Sequence, residues 1–271
     1  MNVELTKEFE RDIIKKYRSV LWTKFIKGIK KYNMIEEGDK IAIAMSGGKD
    51  SLLLAKLLQE LKKHPMVNFE IEFISMDPGF SEENLLLHFE NAKNLGVPLN
   101  IKKYDVFKIV KKIAEDYPCY MCARLRRGHL YAQAQEKGCN KLALGHHFDD
   151  VIETTMMNIL YAGTVKTMLP KLKSANFEGL TLIRPMYLIN EKDIQRIMDS
   201  NNITTMDCGC ELTGCNTASK RHQTKLLIKK LKENDPDVDK NIFRAAENVN
   251  LDSIYRYVKD QKEHIIYDDW E

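Results

Sequence analysis

Hydrophobic positions follow two different periods along this chain. Residues 7–34 carry apolar side chains at intervals of three and four, a spacing that predicts a helix. Beyond them, short apolar runs alternate with longer amphipathic stretches. The runs predict five strands, at Ile41–Met45, Phe69–Met76, Leu99–Val106, Lys141–Gly145 and Leu180–Leu188. Strands that alternate with helices predict an α/β fold with a doubly wound, parallel, five-stranded sheet, which binds ligands at the carboxyl ends of its strands.

The stretches between and after these strands predict helices. Their bounds are 52–63, 81–95, 107–117, 121–138, 149–161 and 191–200. Asn190 is a candidate N-cap for the last of them. From Ser219 onward the pattern again predicts helices. We therefore divide the chain into an N-terminal helical segment (1–38), an α/β domain (39–218) and C-terminal helices (219–271).

The most informative stretch is a glycine turn between the first predicted strand and the helix after it. Its sequence is Ser46-Gly47-Gly48-Lys49-Asp50-Ser51. The two glycines let the backbone approach an anion closely, and the start of the helix points unpaired N–H groups at it. The side chains add hydroxyl and ammonium donors and one candidate metal contact, the aspartate. The spacing is not that of a Walker loop, and the alternative is an ordinary glycine turn with a solvated lysine. We predict a site for nucleotide phosphates, and hence an enzyme.

A second polar cluster, Leu144–Asp150, ends the fourth predicted strand and begins a helix. Asp149 and Asp150 at a helix N-terminus beside a phosphate loop suit a magnesium ion that bridges phosphate oxygens. They also suit simple helix capping. His146 and His147 could bind substrate, ligate a metal or pack against the strand, so their role stays open at this point.

Six cysteines fall into two clusters and one single residue. Cys119–Cys122 starts a predicted helix, where the helix dipole favours thiolates, and Cys208–Cys215 contains three more cysteines. Cys139 is predicted to be a small buried hydrophobic residue. The two clusters are compatible with a structural zinc site, with an iron–sulfur cluster held by thiolates, or with a redox pair. Their spacing does not separate these three interpretations.

Composition bounds the class of protein. The 271 residues are 44% hydrophobic and 30% charged with a net charge of +3, which is typical of a globular protein. No apolar run has the length of a transmembrane helix, and the N-terminus lacks the apolar core of a signal peptide, so we expect a cytoplasmic protein. Basic residues cluster on the N-terminal helix, at 124–127, at 166–173 and at 220–232. These patches are either RNA-binding surfaces or solvated helix faces.

Four stretches, in their order and spacing, resemble the tRNA 2-thiocytidine synthetase (TtcA) family of PP-loop ATPases. They are Tyr32–Ile35 running into Ser46–Ser51, then Cys119–Gly128, then Leu144–Asp150, and then Ile183–Met186 with Glu191–Ile194. The resemblance extends from about Leu21 to Arg221, with a weaker helical similarity through Asn248. It implies a PP-loop ATPase domain that carries a cysteine site.

The resemblance implies a reaction. Members of the family adenylate the C2 oxygen of a cytidine in the tRNA anticodon loop, at position 32, and sulfur then displaces AMP. A 4Fe–4S cluster held by three cysteines carries the sulfur on its open iron. The implied cofactors are therefore the cluster, ATP and Mg²⁺. The implied partners are tRNA, ATP and a sulfur donor, either sulfide or the persulfide of a cysteine desulfurase. No membrane partner is implied, and a homodimer is an open alternative for the oligomeric state.

The resemblance also assigns residues. Those implied to bind the nucleotide and its metal are Ala44, Ser46, Gly47, Gly48, Lys49, Asp50, Ser51, Gly145, Asp149 and Asp150. Those implied to act in catalysis are Asp50, Cys119, Cys122 and Cys210, and the three cysteines are also the implied metal ligands. The family usually has two residues between the cysteines of its second pair, whereas this chain has Cys208-Gly209-Cys210. Cys208 and Cys215 therefore compete with Cys210 for the third position.

Three other functions stay open from the sequence. The chain could thiolate another tRNA base and form a 2-thiouridine. It could be a different PP-loop enzyme, such as an amide-forming ligase with zinc on its cysteines or a sulfate-activating reductase. The third alternative is a sensor that binds ATP and an iron–sulfur cluster but catalyses no reaction. The acidic pair of Asp149 and Asp150 speaks against it, since it exceeds what binding alone requires.

Overall fold

The computed structural model describes residues 3–113, 118–206 and 219–266, except for the side chains of residues 118 and 119. It begins with helix α1 (Val3–Arg11), a π-helical turn (Asp12–Lys16) and helix α2 (Trp22–Lys31). The single helix predicted at 7–34 is therefore interrupted. The backbone N–H of Tyr17 donates to the carbonyl of Asp12 at 2.8 Å, five residues back, which widens the turn and ends the first helix.

The apolar face predicted for this N-terminal region is confirmed. Ile13, Leu21 and Phe25 are fully buried, and Ile29 is nearly so. Burial of one helix face in this way supplies most of the stability of an amphipathic helix. The interruption leaves the periodicity of the buried face intact, which explains why the pattern alone suggested one continuous helix.

The central sheet has six strands in the order β3–β2–β1–β4–β6–β5. Their bounds are β1 (Asp39–Met45), β2 (Phe69–Asp77), β3 (Ile101–Lys103), β4 (Lys141–Ala143), β5 (Lys171–Lys173) and β6 (Thr181–Ile183). β1 lies at the centre and pairs in parallel with β2 and β4, with Ile43 opposite Phe73 and Ala143. Ile41, Ala42 and Ile43 are all fully buried, as expected for a strand covered on both faces.

The predicted α/β class and the five parallel strands are confirmed, and the structure adds a sixth strand. β5 pairs antiparallel with β6 at the edge of the sheet, with Leu172 opposite Leu182. Its sequence, Lys-Leu-Lys, has one apolar residue, which is typical of a short edge strand protected by lysines. The absence of an apolar run explains why the hydrophobic pattern did not reveal it.

Three predicted strands are shorter in the structure than in the prediction, and the one predicted at 141–145 ends at Ala143. The strand predicted at 180–188 ends at Ile183, because Pro185 has no N–H and the chain turns there. The N–H of Tyr187 donates to the carbonyl of Arg184 at 3.0 Å within that turn. The strand predicted at 99–106 is reduced to three residues, Ile101–Lys103.

Helices cover the sheet and follow it along the chain. They are α3 (Lys49–Lys63), α4 (Glu82–Asn94), α5 (Val106–Ile113), α6 (Pro118–Glu136), α7 (Phe148–Ala162), α8 (Glu191–Ser200), α9 (Lys220–Asn234) and α10 (Val238–Ala245). Each predicted helix has a counterpart, although residues 114–117 of the one predicted at 107–117 lie outside the described residues. Asn190 stands at the N-cap position of α8, but its side chain accepts a hydrogen bond from Lys24 and makes no cap bond.

The prediction that the C-terminal segment is helical throughout is wrong. After a short 3₁₀ turn at Leu251–Ser253, the chain forms a hairpin of β7 (Arg256–Lys259) and β8 (Lys262–Ile265). Asp260 and Gln261 join the strands with φ angles of +51° and +62°, the conformation of a tight two-residue hairpin turn. That turn contains no glycine, so the sequence lacks the usual hairpin signal.

Contacts divide the chain into two compact units. The first comprises Met1–Val151 with Met168–Ser219, and the second comprises Ile152–Thr167 with Lys220–Glu271. The boundaries that we drew at 38/39 and 218/219 stay predictions. Among the described residues, every helix is too short or too polar to cross a membrane.

Candidate active site

The glycine turn lies where the central strand ends and α3 begins. β1 ends at Met45, and α3 begins at Lys49 with Gly48 as its N-cap in an extended conformation. The Ser46 and Ser51 hydroxyls are 3.2 Å apart, and Ser51 donates to the Gly48 carbonyl at 2.9 Å. The two serine side chains thus fix the conformation of the turn. The first N–H groups of α3 point toward its open side, which is the geometry that binds phosphate.

Gly47 is favoured at its position chiefly by conformation, and the space beside it is also tight. Its φ is +85°, a left-handed conformation that side chains disfavour. A Cβ placed there would lie 2.2 Å from the Cε of Met206 and 3.1 Å from the Cγ of His88. The loop therefore passes directly beneath Met206, the last described residue before the Cys208–Cys215 cluster.

Gly145 lets the second motif approach the first. A Cβ on Gly145 would lie 3.2 Å from the backbone carbon of Asp50 and 3.3 Å from the backbone nitrogen of Ser51. The second residue after β4 therefore packs against the first turn of α3, where a side chain would crowd the backbone. This contact brings the two predicted polar motifs, which are almost a hundred residues apart in sequence, to one edge of the sheet.

The charges around the turn are already paired. The Nζ of Lys49 lies 3.3 Å from the Oε1 of Glu191 and 3.7 Å from the Oδ2 of Asp50. Glu191 begins α8, so its carboxylate enters the site from a third element. The lysine is thus held by two carboxylates at the mouth of the phosphate loop, where it can turn toward a phosphate as a mobile point charge.

Three carboxylates surround one buried imidazole. The Nε2 of His147 lies 3.9 Å from the Oδ1 of Asp50 and 3.5 Å from the Oδ2 of Asp150, and its Nδ1 lies 3.8 Å from the Oδ2 of Asp149. The backbone N–H of His147 also donates to Asp150 at 3.1 Å. The structure therefore brings Asp50, Asp149 and Asp150 together, as the motif order predicted, and it places His147 rather than His146 between them.

Asp50 is the least satisfied of these acids. Burial raises the pKa of its carboxyl above the ordinary value, and the nearby Lys49 and His147 offset this only in part. Its Oδ1 is buried and accepts no hydrogen bond from any described residue. A desolvated carboxylate oxygen without a donor is a suitable ligand for a hard cation such as Mg²⁺.

Asp149 has a structural role in addition to any role in the site. Its Oδ2 accepts a hydrogen bond from the backbone N–H of Glu191 at 2.6 Å. It therefore caps the first turn of α8, the position for which Asn190 was the sequence candidate. The sequence left helix capping and metal binding open for Asp149 and Asp150. In the structure, one oxygen of Asp149 caps a helix.

The described residues contain no ready-made metal site formed by three or more histidine, cysteine or acidic side chains. Proteins hold Mg²⁺ at nucleotides with one or two carboxylates, and phosphate oxygens and water complete the shell. Asp50 and Asp150 meet that requirement beside the phosphate loop.

Beneath the loop lies a buried hydrogen-bonded pair that sequence analysis missed. The hydroxyl of Ser75, on β2, donates to the carbonyl of Met45 at 2.8 Å and lies 3.1 Å from the Nε2 of His88, on α4. Because the only hydroxyl proton goes to Met45, Ser75 accepts from the N–H of Nε2. Burial lowers the pKa of His88 to about 4, so the ring is neutral at physiological pH. A histidine on a predicted helix, 41 residues from the loop, carries no signal in the sequence that would place it there.

The first cysteine cluster begins α6. Cys122 is buried against Met76, Val106 and Val110, and the backbone of Cys119 lies in the first turn of the same helix. Cys139, in contrast, lies in the core with Ala42 and Leu142, as predicted, and burial raises the pKa of its thiol. Cys208, Cys210 and Cys215 lie outside the described residues, so the third cluster ligand stays a prediction.

The doubly wound sheet, the glycine turn at the end of its central strand and the carboxylates beside it define a PP-loop ATP-binding protein. The sequence profile of the PP-loop domain family matches residues 21–207. A protein from Geotalea uraniireducens, named tRNA-cytidine(32) 2-sulfurtransferase, is 38% identical over 239 residues, which are 87% of this chain and 92% of that protein. A protein of the same name from Hahella chejuensis is 38% identical over 241 residues, which are 87% of this chain and 82% of that protein.

The chain belongs to the tRNA-cytidine(32) 2-sulfurtransferase family of PP-loop proteins. The resemblance to the TtcA family that the four motifs predicted is thereby confirmed. Among solved structures, the fold is similar to that of the U34-tRNA thiolase NcsA from Methanococcus maripaludis, solved with its [4Fe–4S] cluster. The TM-score is 0.67 at 24% identity, over 83% of this chain and 77% of that one.

Proposed function

We propose that this protein is an ATP-dependent tRNA sulfurtransferase that converts cytidine 32 of the anticodon loop to 2-thiocytidine. The observation that carries the proposal is that the Ser46–Ser51 loop, with its Asp50, and Asp150 of the second motif meet around His147 at one edge of the sheet, in a chain of this family. ATP, Mg²⁺ and a 4Fe–4S cluster are its cofactors, and tRNA is its substrate. It works in the cytoplasm.

The first chemical step makes the C2 oxygen of the cytidine a leaving group. That oxygen attacks the α-phosphorus of ATP, an O–P bond forms, and pyrophosphate departs. The N–H groups at the start of α3 bind the phosphates, and Lys49 leaves its carboxylate partners to offset charge on the departing oxygens. Asp50 and Asp150 would hold Mg²⁺ beside the loop, and the cation would offset the negative charge that the bound nucleotide brings near these acids.

The second step replaces oxygen by sulfur. Sulfide attacks C2; it is supplied directly, or it is released from a desulfurase persulfide by a thiol reductant that is oxidised to a disulfide. The C2–O bond breaks, and AMP leaves with the former base oxygen. Cys119, Cys122 and Cys210 would hold the cluster, since thiolates are the ligands that iron–sulfur clusters require. The described part of this set of thiolates fits a cluster site, because Cys122 is buried near the start of α6 and lies three residues after Cys119. The cluster, when bound, supplies an iron coordination site for sulfur.

The proposal is tested with protein reconstituted anaerobically with iron and sulfide, then incubated with unmodified tRNA, ATP, Mg²⁺ and sulfide. Nucleosides are digested and analysed by mass spectrometry. We expect 2-thiocytidine and an equal amount of AMP. A 2-thiouridine product would assign the enzyme to another base, and the absence of any thiolated nucleoside would overturn the proposal. Iron and zinc content measured on the same sample separates the cluster from a zinc site.

A further inference from the structure

The first unit contains a second concave surface, on the far edge of the sheet from β3. A cavity of about 640 Å³ lies between α6 and the β5–β6 edge. Its size is that of a small-molecule or nucleotide site. We call it the α6 groove; its lining includes Tyr120, Arg124, Arg127, Gly128, Lys173 and Phe177. None of them belongs to the ATP site.

The α6 groove carries positive charge that no described acidic side chain offsets. Arg124, Arg127 and Lys173 line it, and the described residues contribute no carboxylate to its lining. Within the part of the chain that the structure describes, none of these three side chains forms an ion pair, whereas Lys171, on the same strand, is 3.4 Å from Glu36. Arg124 and Arg127, from one basic stretch of the sequence, thus meet Lys173, from another, on one surface. Clustered cations without acidic partners are typical of sites for phosphate groups.

Aromatic rings line the same surface. Tyr120 is 61% exposed, so its ring face is open to a ligand, and Tyr131 packs edge-on against Phe177 with ring centroids 5.2 Å apart. The loop that carries Phe177 is ordered by its own hydrogen bonds, since the Phe177 N–H donates to Ser174 at 3.2 Å. Aromatic faces beside a basic groove are the combination that binds unpaired nucleotides by stacking.

Gly128 keeps this surface open. It lies within the 19-residue helix α6, where glycine costs about 1 kcal/mol relative to alanine. A Cβ added there would meet nothing within 4 Å, so no packing constraint explains the glycine. A residue that weakens a helix and leaves empty space above it is explained by a ligand that occupies that space.

From these observations we infer that the α6 groove binds an unpaired RNA nucleotide of the substrate, with its base against the aromatic rings and its phosphates on the arginines and Lys173. Because Tyr120 and Arg124 flank Cys122 on α6, an RNA loop held there lies along the helix that carries the first cysteine cluster. The inference rests on the proposed function for the identity of the ligand as RNA.

The test compares two substitutions at one position. Gly128→Leu fills the groove, and Gly128→Ala adds only a methyl group; both replace glycine within a helix, so both are expected to raise the melting temperature. Binding is measured by fluorescence anisotropy with an anticodon stem–loop RNA and with a fully paired RNA of the same length. We expect Gly128→Leu to weaken stem–loop binding about tenfold or more, Gly128→Ala to change it less than about twofold, and both variants to bind ATP as the wild type does.

Two results would overturn the inference. If Gly128→Leu is folded and binds the stem–loop as tightly as the wild type does, the groove is not the RNA site, while thiolation by the wild type would leave the proposed function intact. If the wild-type protein binds paired and unpaired RNA equally, charge alone accounts for binding. A wild-type protein that neither binds nor thiolates RNA would overturn the proposed function together with the inference.

Discussion

The ATP loop and the α6 groove lie in the same unit but differ in how their charges are balanced. At the loop, Lys49 is already held by Glu191 and Asp50, and Gly47 fits beneath Met206 without spare space. At the groove, Arg124 and Lys173 have no acidic partner among the described residues, and the space above Gly128 is empty. A small ligand that arrives with its own metal suits a balanced, preorganised site, whereas a polyanion suits an open, unbalanced one.

The largest effect is expected from Asp50→Asn, which removes the buried carboxylate that we assign to Mg²⁺. Pyrophosphate release in the presence of tRNA should fall about a thousandfold, since metal stabilisation of the transition state is worth several kcal/mol. Stem–loop RNA binding should be unchanged, because the groove does not contain this residue. Loss of RNA binding in this variant would remove the distinction between the two sites.

The same substitution should also stabilise the fold. Burial raises the pKa of Asp50, so its contribution to stability is greatest when it is protonated, below the unfolded-state pKa, and is lost as pH rises through the folded-state pKa. Asn is neutral, and therefore the melting temperature at pH 7 should rise. Asp149→Ala is the contrasting variant: it removes the cap of α8 and should cost about 1 kcal/mol of unfolding free energy. Destabilisation by Asp50→Asn would contradict this account of the carboxylate.

Gly47→Ala should lower ATP-dependent turnover about a hundredfold. The new methyl group disfavours the φ of +85° and lies 3.1 Å from the buried ring of His88, so the loop shifts from its phosphate-binding geometry, whereas the end of Met206 can move aside. Gly138→Ala is the matched control, since Gly138 also has a positive φ, +68°, but has nothing within 4 Å of a Cβ. Both variants bear the conformational strain, and only Gly47→Ala should lose ATP affinity in a calorimetric titration.

His88 should make the loop region sensitive to acid. Its folded-state pKa of about 4 lies below the unfolded value, so its contribution to stability is present above pH 6.5 and is lost as pH falls toward 4. Between pH 7 and pH 5 this amounts to about 2 kcal/mol of unfolding free energy. Gln can keep the donor to Ser75 and cannot be protonated. Urea denaturation should therefore show a smaller loss at pH 5 for His88→Gln than for the wild type, and equal losses would refute the assignment.

The smallest effect is expected at the edges of the sheet. Lys173→Ala should weaken stem–loop binding about threefold and reduce the slope of log affinity against log salt by about 0.7, the value for one phosphate contact on a single strand. Lys103→Ala is the control, because Lys103 is the exposed third residue of the opposite edge strand, β3. If both lysines alter the slope equally, RNA binding does not distinguish the groove from the rest of the surface.

Much of the ATP site could be predicted because it is local in sequence. A strand, a glycine turn and a helix start stand within 25 residues, and each contributes a recognisable pattern. The convergence of Asp149 and Asp150 on this turn followed from parallel strand order, since β4 pairs beside β1. The five parallel strands were predicted correctly because apolar runs mark them and helices alternate with them.

The remaining features depend on contacts between distant residues. Glu191 as the partner of Lys49, and His88 beneath Gly47, are set by tertiary packing that no spacing encodes. The edge strand β5 is too short and too polar to produce a hydrophobic signal, and the hairpin of β7 and β8 turns without glycine. The α6 groove joins residues about 50 positions apart, which appeared in the sequence only as two unrelated basic patches.

The central claim is that ATP makes the base oxygen a leaving group. It is tested most directly with a tRNA that carries oxygen-18 at C2 of the target cytidine, incubated anaerobically with reconstituted protein, ATP, Mg²⁺ and sulfide. Mass spectrometry of the released nucleotide then follows the label. The account predicts oxygen-18 in the phosphate of AMP, at one labelled AMP for each 2-thiocytidine. Thiolation with unlabelled AMP, or cleavage of ATP to ADP, would contradict it.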